Sequence, residues 1–197
     1  MIYLFRHGET LWNRERRLQG QLDSPLTLRG IAQVRRNAEA LLREIGDPAG
    51  FAMLASPLGR AWQSAVIVAE TLGLDPRGVA FDDRLMECSF GRLQGRLMDE
   101  VEAEDPGFWA RRRADHWDWQ APEGESYALL DRRVGEWFAA LPPDLRLIVV
   151  CHGMVSRVLR GRVAGLAREE TLALSENQDC FWRLERGRVE TLGADDD

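Results

Sequence analysis

Two of the three histidines in this 197-residue chain stand in the same context. His7 follows the apolar run 2–5 and Arg6 and precedes Gly8, and His152 follows the apolar run 146–151 and precedes Gly153. An imidazole can act as a nucleophile, and a guanidinium holds an oxyanion through a fork of N–H donors that stays charged at any working pH. Arg60 repeats the placement of Arg6, coming just after the run 51–55, and Glu87 comes soon after the run 79–81. A carboxyl group there can give and take a proton. Gly8 permits close backbone approach, while Thr10 and Asn13 add short polar side chains to the turn that follows. Together these residues describe an anion pocket with a nucleophile in it.

For that pocket to form, four strand ends must converge. The β-favouring runs 2–5, 51–55, 79–81 and 146–151 read as buried strands. Ligands bind in the crevice outside the carboxyl ends of strands in an open α/β sheet. Between them, segment 18–29 is rich in turn formers and ends at Thr27, a helix N-cap ahead of Ile31, Val34, Ala38, Leu41, Leu42 and Ile45 at helical spacing. Pro57 suits the first turn of a second helix carrying Arg60, with Ala61, Ala65, Ile67, Val68 and Leu72 on its apolar side. Segment 127–141 is a helix turned inward on Leu130, Val134, Trp137 and Phe138 and stopped by Pro142 and Pro143; 154–164 is another. Runs 179–185 and 188–192 form a hairpin around Arg186 and Gly187, and 195–197 is a solvated acidic tail. Segment 96–121, charged and studded with Phe108, Trp109, Trp117 and Trp119, reads as short helices forming a lid. The expected organisation is one domain, 1–197, with that lid inserted in it.

Composition narrows the function classes. Hydrophobic residues at 45% and charged residues at 29% fit a soluble globular chain, and a net charge of -6 argues against a general nucleic-acid binder. Any phosphate site must therefore be a local basic pocket in an acidic whole. Cys88, Cys151 and Cys180 are odd in number and lack a CxxC pair, which points to free thiols in a reducing compartment rather than to disulfides or zinc. No signal peptide precedes the first strand and no apolar run approaches the ~20 residues of a membrane span, so a cytoplasmic location without membrane partners is expected.

The chain resembles the histidine phosphatase superfamily, also called phosphoglycerate mutase-like. The match is carried by Arg6-His7-Gly8-Glu9-Thr10 with Asn13, then Gln19-Gly20, Ser24-Pro25-Leu26-Thr27, and Ser56-Pro57-Leu58 with Arg60 and Ala61. It continues through Leu85, Glu87, Phe90-Gly91, Gly124-Glu125-Ser126 and Cys151-His152-Gly153, in the family's order over nearly the whole chain. The resemblance implies a three-layer α/β/α sandwich with a mostly parallel central sheet, and a phosphohistidine intermediate. On that reading His7 is the nucleophile, and Arg6, Arg60 and His152 hold the phosphoryl oxygens. Asn13, Gln19, Gly20 and Gly153 line the phosphate site, and Glu87 is the general acid and base. Phosphoryl transfer needs an in-line nucleophile and cations around the equatorial oxygens. Arginines and histidine supply that charge, so neither a metal nor another cofactor is expected. Glu87 must then be raised above the free glutamate value of ~4.3 to donate a proton near neutral pH.

Three activities fit the resemblance. A phosphomonoesterase is favoured because Met154 stands where the mutases have Asn after His-Gly, and Cys88 where they have Arg after the glutamate. The Glu87-to-His152 spacing is also shorter than theirs, which leaves less chain to enclose the site and exclude water. A bisphosphoglycerate-dependent mutase draws support from Arg96 and the Arg112-Arg113 pair, although these can instead pair with Glu102, Glu104 and Asp105. The third is a non-catalytic phospholigand-binding module. Lid candidates for specificity are Trp109, Arg111, Arg112, Arg113, His116 and Trp119. Sugar phosphates, phosphoglycerates, nucleotide-like phosphomonoesters and a cobalamin-precursor phosphate are compatible partners, as is inorganic phosphate.

Overall fold

The computed structural model describes residues 1–193, so the expected acidic tail 195–197 lies outside the described residues. In chain order the elements are β1 (Ile2–Arg6), α1 (Leu11–Arg14), α2 (Leu28–Ile45), β2 (Ala52–Ala55), α3 (Gly59–Thr71), β3 (Ala80–Phe81), α4 (Met98–Glu104), α5 (Phe108–Ala114), α6 (Tyr127–Ala139), β4 (Leu147–Cys151), α7 (Gly153–Ala164), α8 (Arg168–Ala173), β5 (Cys180–Glu185) and β6 (Arg188–Gly193). The six strands form one sheet in the order β3-β2-β4-β1-β5-β6. β1, β2, β3 and β4 run parallel, and the hairpin β5–β6 is added antiparallel to β1.

Strand alternation builds the three layers. Ile2, Leu4, Leu147, Val149 and Cys151 point to one face, where α6 and α7 cover them with Leu130, Val134, Trp137, Val155, Val158 and Leu159. Tyr3, Phe5, Ile148 and Val150 point to the other, under Val34, Ala38 and Leu41 of α2 and Ala65, Val68 and Ala69 of α3. β4 is fully buried along its length because both faces are covered. No helix among the described residues is long and apolar enough to cross a membrane.

Several elements differ from the expected ones for identifiable reasons. The turn expected around Thr10 and Asn13 is a one-turn helix, α1, closed by a capping box: Asn13 donates its amide to the Thr10 hydroxyl, and the Asn13 side chain accepts from the Thr10 amide, both at 3.1 Å. Four residues are too few to show a period. α8 was not expected either, since its six residues are mostly polar. In segment 96–121 helix is confined to α4 and α5, which close over a small separate cluster of Leu18, Leu93 and Val101 with Phe108, Trp109 and Trp119 packed against it. The base of this segment is tied to the chain after α1: the Leu18 amide donates to the Arg96 carbonyl at 2.9 Å and the Gly95 amide to the Leu18 carbonyl at 2.7 Å.

Beyond β1 the backbone lies directly on α2. A Cβ at Gly8 would collide with the Gly30 carbonyl, and one at Gly30 with the backbone of Glu9. No side chain fits between these two segments. Gly30→Ala should therefore cost about 1–3 kcal/mol by overpacking, read as a lower urea midpoint at unchanged slope. Activity should fall as well, since the displaced backbone carries His7.

Candidate active site

Register brings the two histidines together. β1 and β4 pair in parallel with Arg6 opposite Cys151, so His7 and His152 leave the sheet side by side, and their rings lie 5.2 Å apart. Both are buried, at 2% and 0% exposure. His7 Nδ1 lies 2.8 Å from the Gly8 carbonyl, and His7 Nε2 lies 3.2 Å from Nε of Arg60. A carbonyl only accepts and a guanidinium only donates, so Nδ1 carries the proton and Nε2 presents its lone pair. Burial, then Arg60 and Arg6, hold His7 well below its ordinary pKa of 6.5, so the ring is neutral. His152 is depressed likewise, by burial first and then by Arg60, His7 and Arg6. Its Nε2 meets the Ser56 hydroxyl at 2.7 Å, while Nδ1 has no partner among the described residues.

Arg60 sits in the first turn of α3, whose amides at Gly59 and Arg60 are capped by the Asp23 carboxylate at 2.7 and 3.2 Å. The same carboxylate holds Nη1 of Arg60 at 2.9 Å, with the Leu22 carbonyl at 2.7 Å, and Nη2 donates to the Gly20 carbonyl at 2.6 Å. With Nε donating to His7 Nε2, one Nη2 hydrogen is left to face the cleft. Arg6 is held through Nη1 by the Glu176 carbonyl, and its buried Nε has no partner among the described residues. Asn13 commits its Oδ1 to Thr10 and to Gln178, so the group it offers the cleft is Nδ2. Gln19 lines the cleft with a buried, unpaired Oε1, and Gly20 sits beside it at φ +53°, a left-handed conformation suited to glycine. Gly153, the first residue of α7, does not line the cleft but lies behind two residues that do, since a Cβ on it would stand 2.8 Å from Glu176 Oε2 and 3.3 Å from Arg6 Nε. Buried polar atoms are normally paired; among the described residues Arg6 Nε and Gln19 Oε1, both on residues that line the cleft, and His152 Nδ1, on the ring beside His7, have no partner.

Glu87 lines that cleft as well. Its Oε1 accepts from the Cys88 amide at 2.9 Å and its Oε2 from the Met154 amide at 3.3 Å. Burial raises its pKa, Glu176 raises it further, and those two amides with Arg60 only partly offset the rise. The loop that carries it is clamped by Arg133, which donates to the carbonyls of Arg84 at 2.8 Å and Glu87 at 3.0 Å while paired with Glu125. Burial alone would raise Glu125, but its bonds with Arg133 hold it below the ordinary carboxylate range. Among the described residues no group of three or more His, Cys, Asp or Glu is placed to hold a metal ion.

The sequence signature of the histidine phosphatase superfamily (branch 1) matches residues 2–189. The chain belongs to that superfamily. It is 35% identical over 205 residues to the probable phosphoglycerate mutase GpmB of Salmonella arizonae, covering 98% of this chain and 92% of that protein. Among solved structures it is similar to mycobacterial glucosyl-3-phosphoglycerate phosphatase complexed with VO3, at 29% identity and TM-score 0.78 over 98% of both chains. It is also similar to a putative alpha-ribazole-5'-P phosphatase from Escherichia coli K-12, at 26% identity and TM-score 0.79 over 96% of this chain and 93% of that one. The superfamily's α/β architecture, with its six-stranded sheet flanked by helices, is the fold described above.

In this histidine phosphatase superfamily member the cleft, about 320 Å³, extends away from His7 between Arg17, Met98, Trp109, Arg112, His116, Tyr127 and Arg157. Of the expected lid residues, Trp109, Arg112 and His116 reach it. Arg111 instead pairs with Asp105, and Trp119 packs beside Phe108 in the separate cluster. Arg96 pairs with Glu104. Arg112 is stacked among Phe90, Trp109 and Trp119 at 5.5–5.9 Å, with a buried Nε that has no partner among the described residues. Burial, with Arg112 and Arg157 nearby, lowers His116 to about 4, so it faces the cleft as a neutral ring at neutral pH. Sequence reasoning missed Arg17, Asp23, Tyr127, Arg157 and Glu176. Each comes from a loop or from a helix position whose orientation only the folded chain reveals.

Proposed function

We propose that the protein is a metal-independent phosphomonoesterase that hydrolyses a small phosphorylated metabolite through a phosphohistidine on His7. The observation that carries this reading is the fixed tautomer: a neutral ring whose Nε2 lone pair meets Nε of Arg60, in a cleft also lined by Arg6 and by Glu87, a carboxyl group whose pKa is raised. In the first step that lone pair bonds to phosphorus, the bond from phosphorus to the leaving oxygen breaks, and Glu87 protonates that oxygen. Arg6, Arg60, Asn13 and His152 take the phosphoryl oxygens as charge develops. In the second step water attacks phosphorus, Glu87 accepts its proton, and the P–N bond breaks to return Nε2 its lone pair and release inorganic phosphate.

Hydrolysis rather than phosphoryl return to a sugar acid is favoured by two residues. Met154 places an apolar side chain on the cleft wall at the start of α7, and Cys88 buries a thiol next to Glu87. Similarity to two structures named as phosphatases supports the same choice. The mutase reading keeps the support of a relative named for that reaction. The test is a panel of phosphomonoesters with a chelator present, beside phosphoglycerate interconversion assayed with and without bisphosphoglycerate. Release of inorganic phosphate with no bisphosphoglycerate-dependent interconversion is expected, together with an acid-labile, alkali-stable phosphoenzyme. Interconversion outpacing phosphate release would replace this reading with the mutase one.

A further inference from the structure

The segment 174–179, between α8 and β5, is a mostly polar strap beside the cleft that contributes Glu176 to its lining. Its Leu174 carbonyl accepts from Nε of Arg157 at 2.9 Å, its Glu176 carbonyl accepts from Arg6, and Gln178 donates to the His7 carbonyl at 3.0 Å. The Glu176 side chain turns into the cleft, where its Oε1 pairs with Nη1 of Arg157 at 3.0 Å. The same Arg157 nitrogen reaches the Tyr127 hydroxyl at 2.7 Å. Glu176 Oε2 lies so close to the first turn of α7 that a Cβ on Gly153 would stand 2.8 Å from it, and 3.3 Å from Nε of Arg6. The next amide along, Met154, holds Oε2 of Glu87. Two carboxylates thus converge on one helix terminus, and among the described residues they are the only carboxylates lining the cleft.

We infer that Glu176 is a positioning residue for the proton donor: anchored on Arg157 beside α7, it keeps Glu87 in the acid form until the leaving oxygen takes the proton. This rests on the proposed role of Glu87. The other charged or titratable groups around Glu87 are Arg60 from α3, Arg133 and Tyr127 from α6, and Arg112 and His116 from α5 and the turn after it. Arg6 and His7 line the same cleft from the end of β1 and Arg157 from α7, and the Cys88 and Cys151 thiols lie within reach of its charge. The cations favour the ionised carboxylate, and Glu176 opposes them. Glu176 leaves the backbone carbonyl that holds Arg6 in place when its side chain is changed.

The experiment is the pH dependence of kcat/KM for an alkyl phosphate in wild type, Glu176→Gln and Glu176→Asp. Removing the charge lets Glu87 ionise earlier, so in Glu176→Gln the alkaline limb should move down by about half a pH unit or more. Glu176→Asp keeps the charge and should keep the limb in place. With an aryl phosphate, whose leaving group departs unprotonated, Glu176→Gln should have less than half the effect seen with the alkyl phosphate. A uniform drop in kcat/KM with an unmoved limb would overturn the inference and leave Glu176 a merely structural residue. Glu87→Gln separates the two levels: if it leaves alkyl phosphate turnover intact, the reading of Glu87 fails; if it slows turnover while Glu176→Gln leaves the limb unmoved, only Glu176 is misassigned.

Discussion

His7→Ala should lower turnover by at least about 10⁴-fold, because in the proposed mechanism His7 forms the covalent intermediate and binding alone cannot replace it. Rapid acid-free quenching of wild type with a labelled phosphomonoester should trap label on protein, and the alanine variant should trap none. The fold should survive. His7 sits where the backbone is held independently: its amide donates to the Cys151 carbonyl at 3.0 Å and its carbonyl accepts from Gln178. Phosphate binding should also persist through Arg6, Arg60 and Asn13, which separates loss of chemistry from loss of the site. A folded His7→Ala enzyme that still forms a phosphoprotein would place the intermediate on another residue and remove the basis of the proposed mechanism.

Glu87→Gln should show an effect that depends on the leaving group. General acid catalysis contributes roughly 10²–10⁴-fold, so an alkyl phosphate should lose that much while an aryl phosphate loses far less in the first step. Hydrolysis of the phosphoenzyme needs the same carboxylate as a base, so label should accumulate on the variant when an aryl phosphate is supplied. The pH sign follows from the direction of the shift. Glu87 is raised by burial and by Glu176, so its acid form persists to a higher pH than an ordinary glutamate allows. In wild type, kcat/KM for alkyl phosphates should hold on the acid side and fall as pH rises through the raised pKa, and that fall should be absent in Glu87→Gln. His7, depressed well below 6.5, stays neutral across the same range and adds no limb there. An identical alkaline limb in the variant would exclude Glu87 as its source.

The convergence of Arg6, His7 and His152 was legible in the sequence because these residues stand at strand ends. A short apolar run announces a buried strand, and whatever polar residues follow it are delivered to one edge of the sheet. Arg6, His7 and His152 follow that rule, and the parallel register of β1 and β4 does the rest. Asp23 was not legible because it caps α3 from a loop 36 residues earlier, a partnership without local signal. Glu176 and Gln178 were missed for the same reason: their segment has neither period nor motif, and its importance lies in where its carbonyls point. The residues 111–113 show the limit at short range. Three consecutive arginines on a seven-residue helix look alike in sequence, yet Arg112 alone of the three lines the cleft.

The contact between Gly8 and Gly30 bears on how such an enzyme can change its diet. With backbone resting on backbone behind the His7 imidazole, that side offers no room for substitution to explore. The far side is walled by side chains from α4, α5 and the strap 174–179, where one replacement alters shape without shifting His7 or Glu87. Libraries aimed at new phosphoesters should therefore yield active variants at positions 98, 109, 112 and 116 and almost none at 8 or 30.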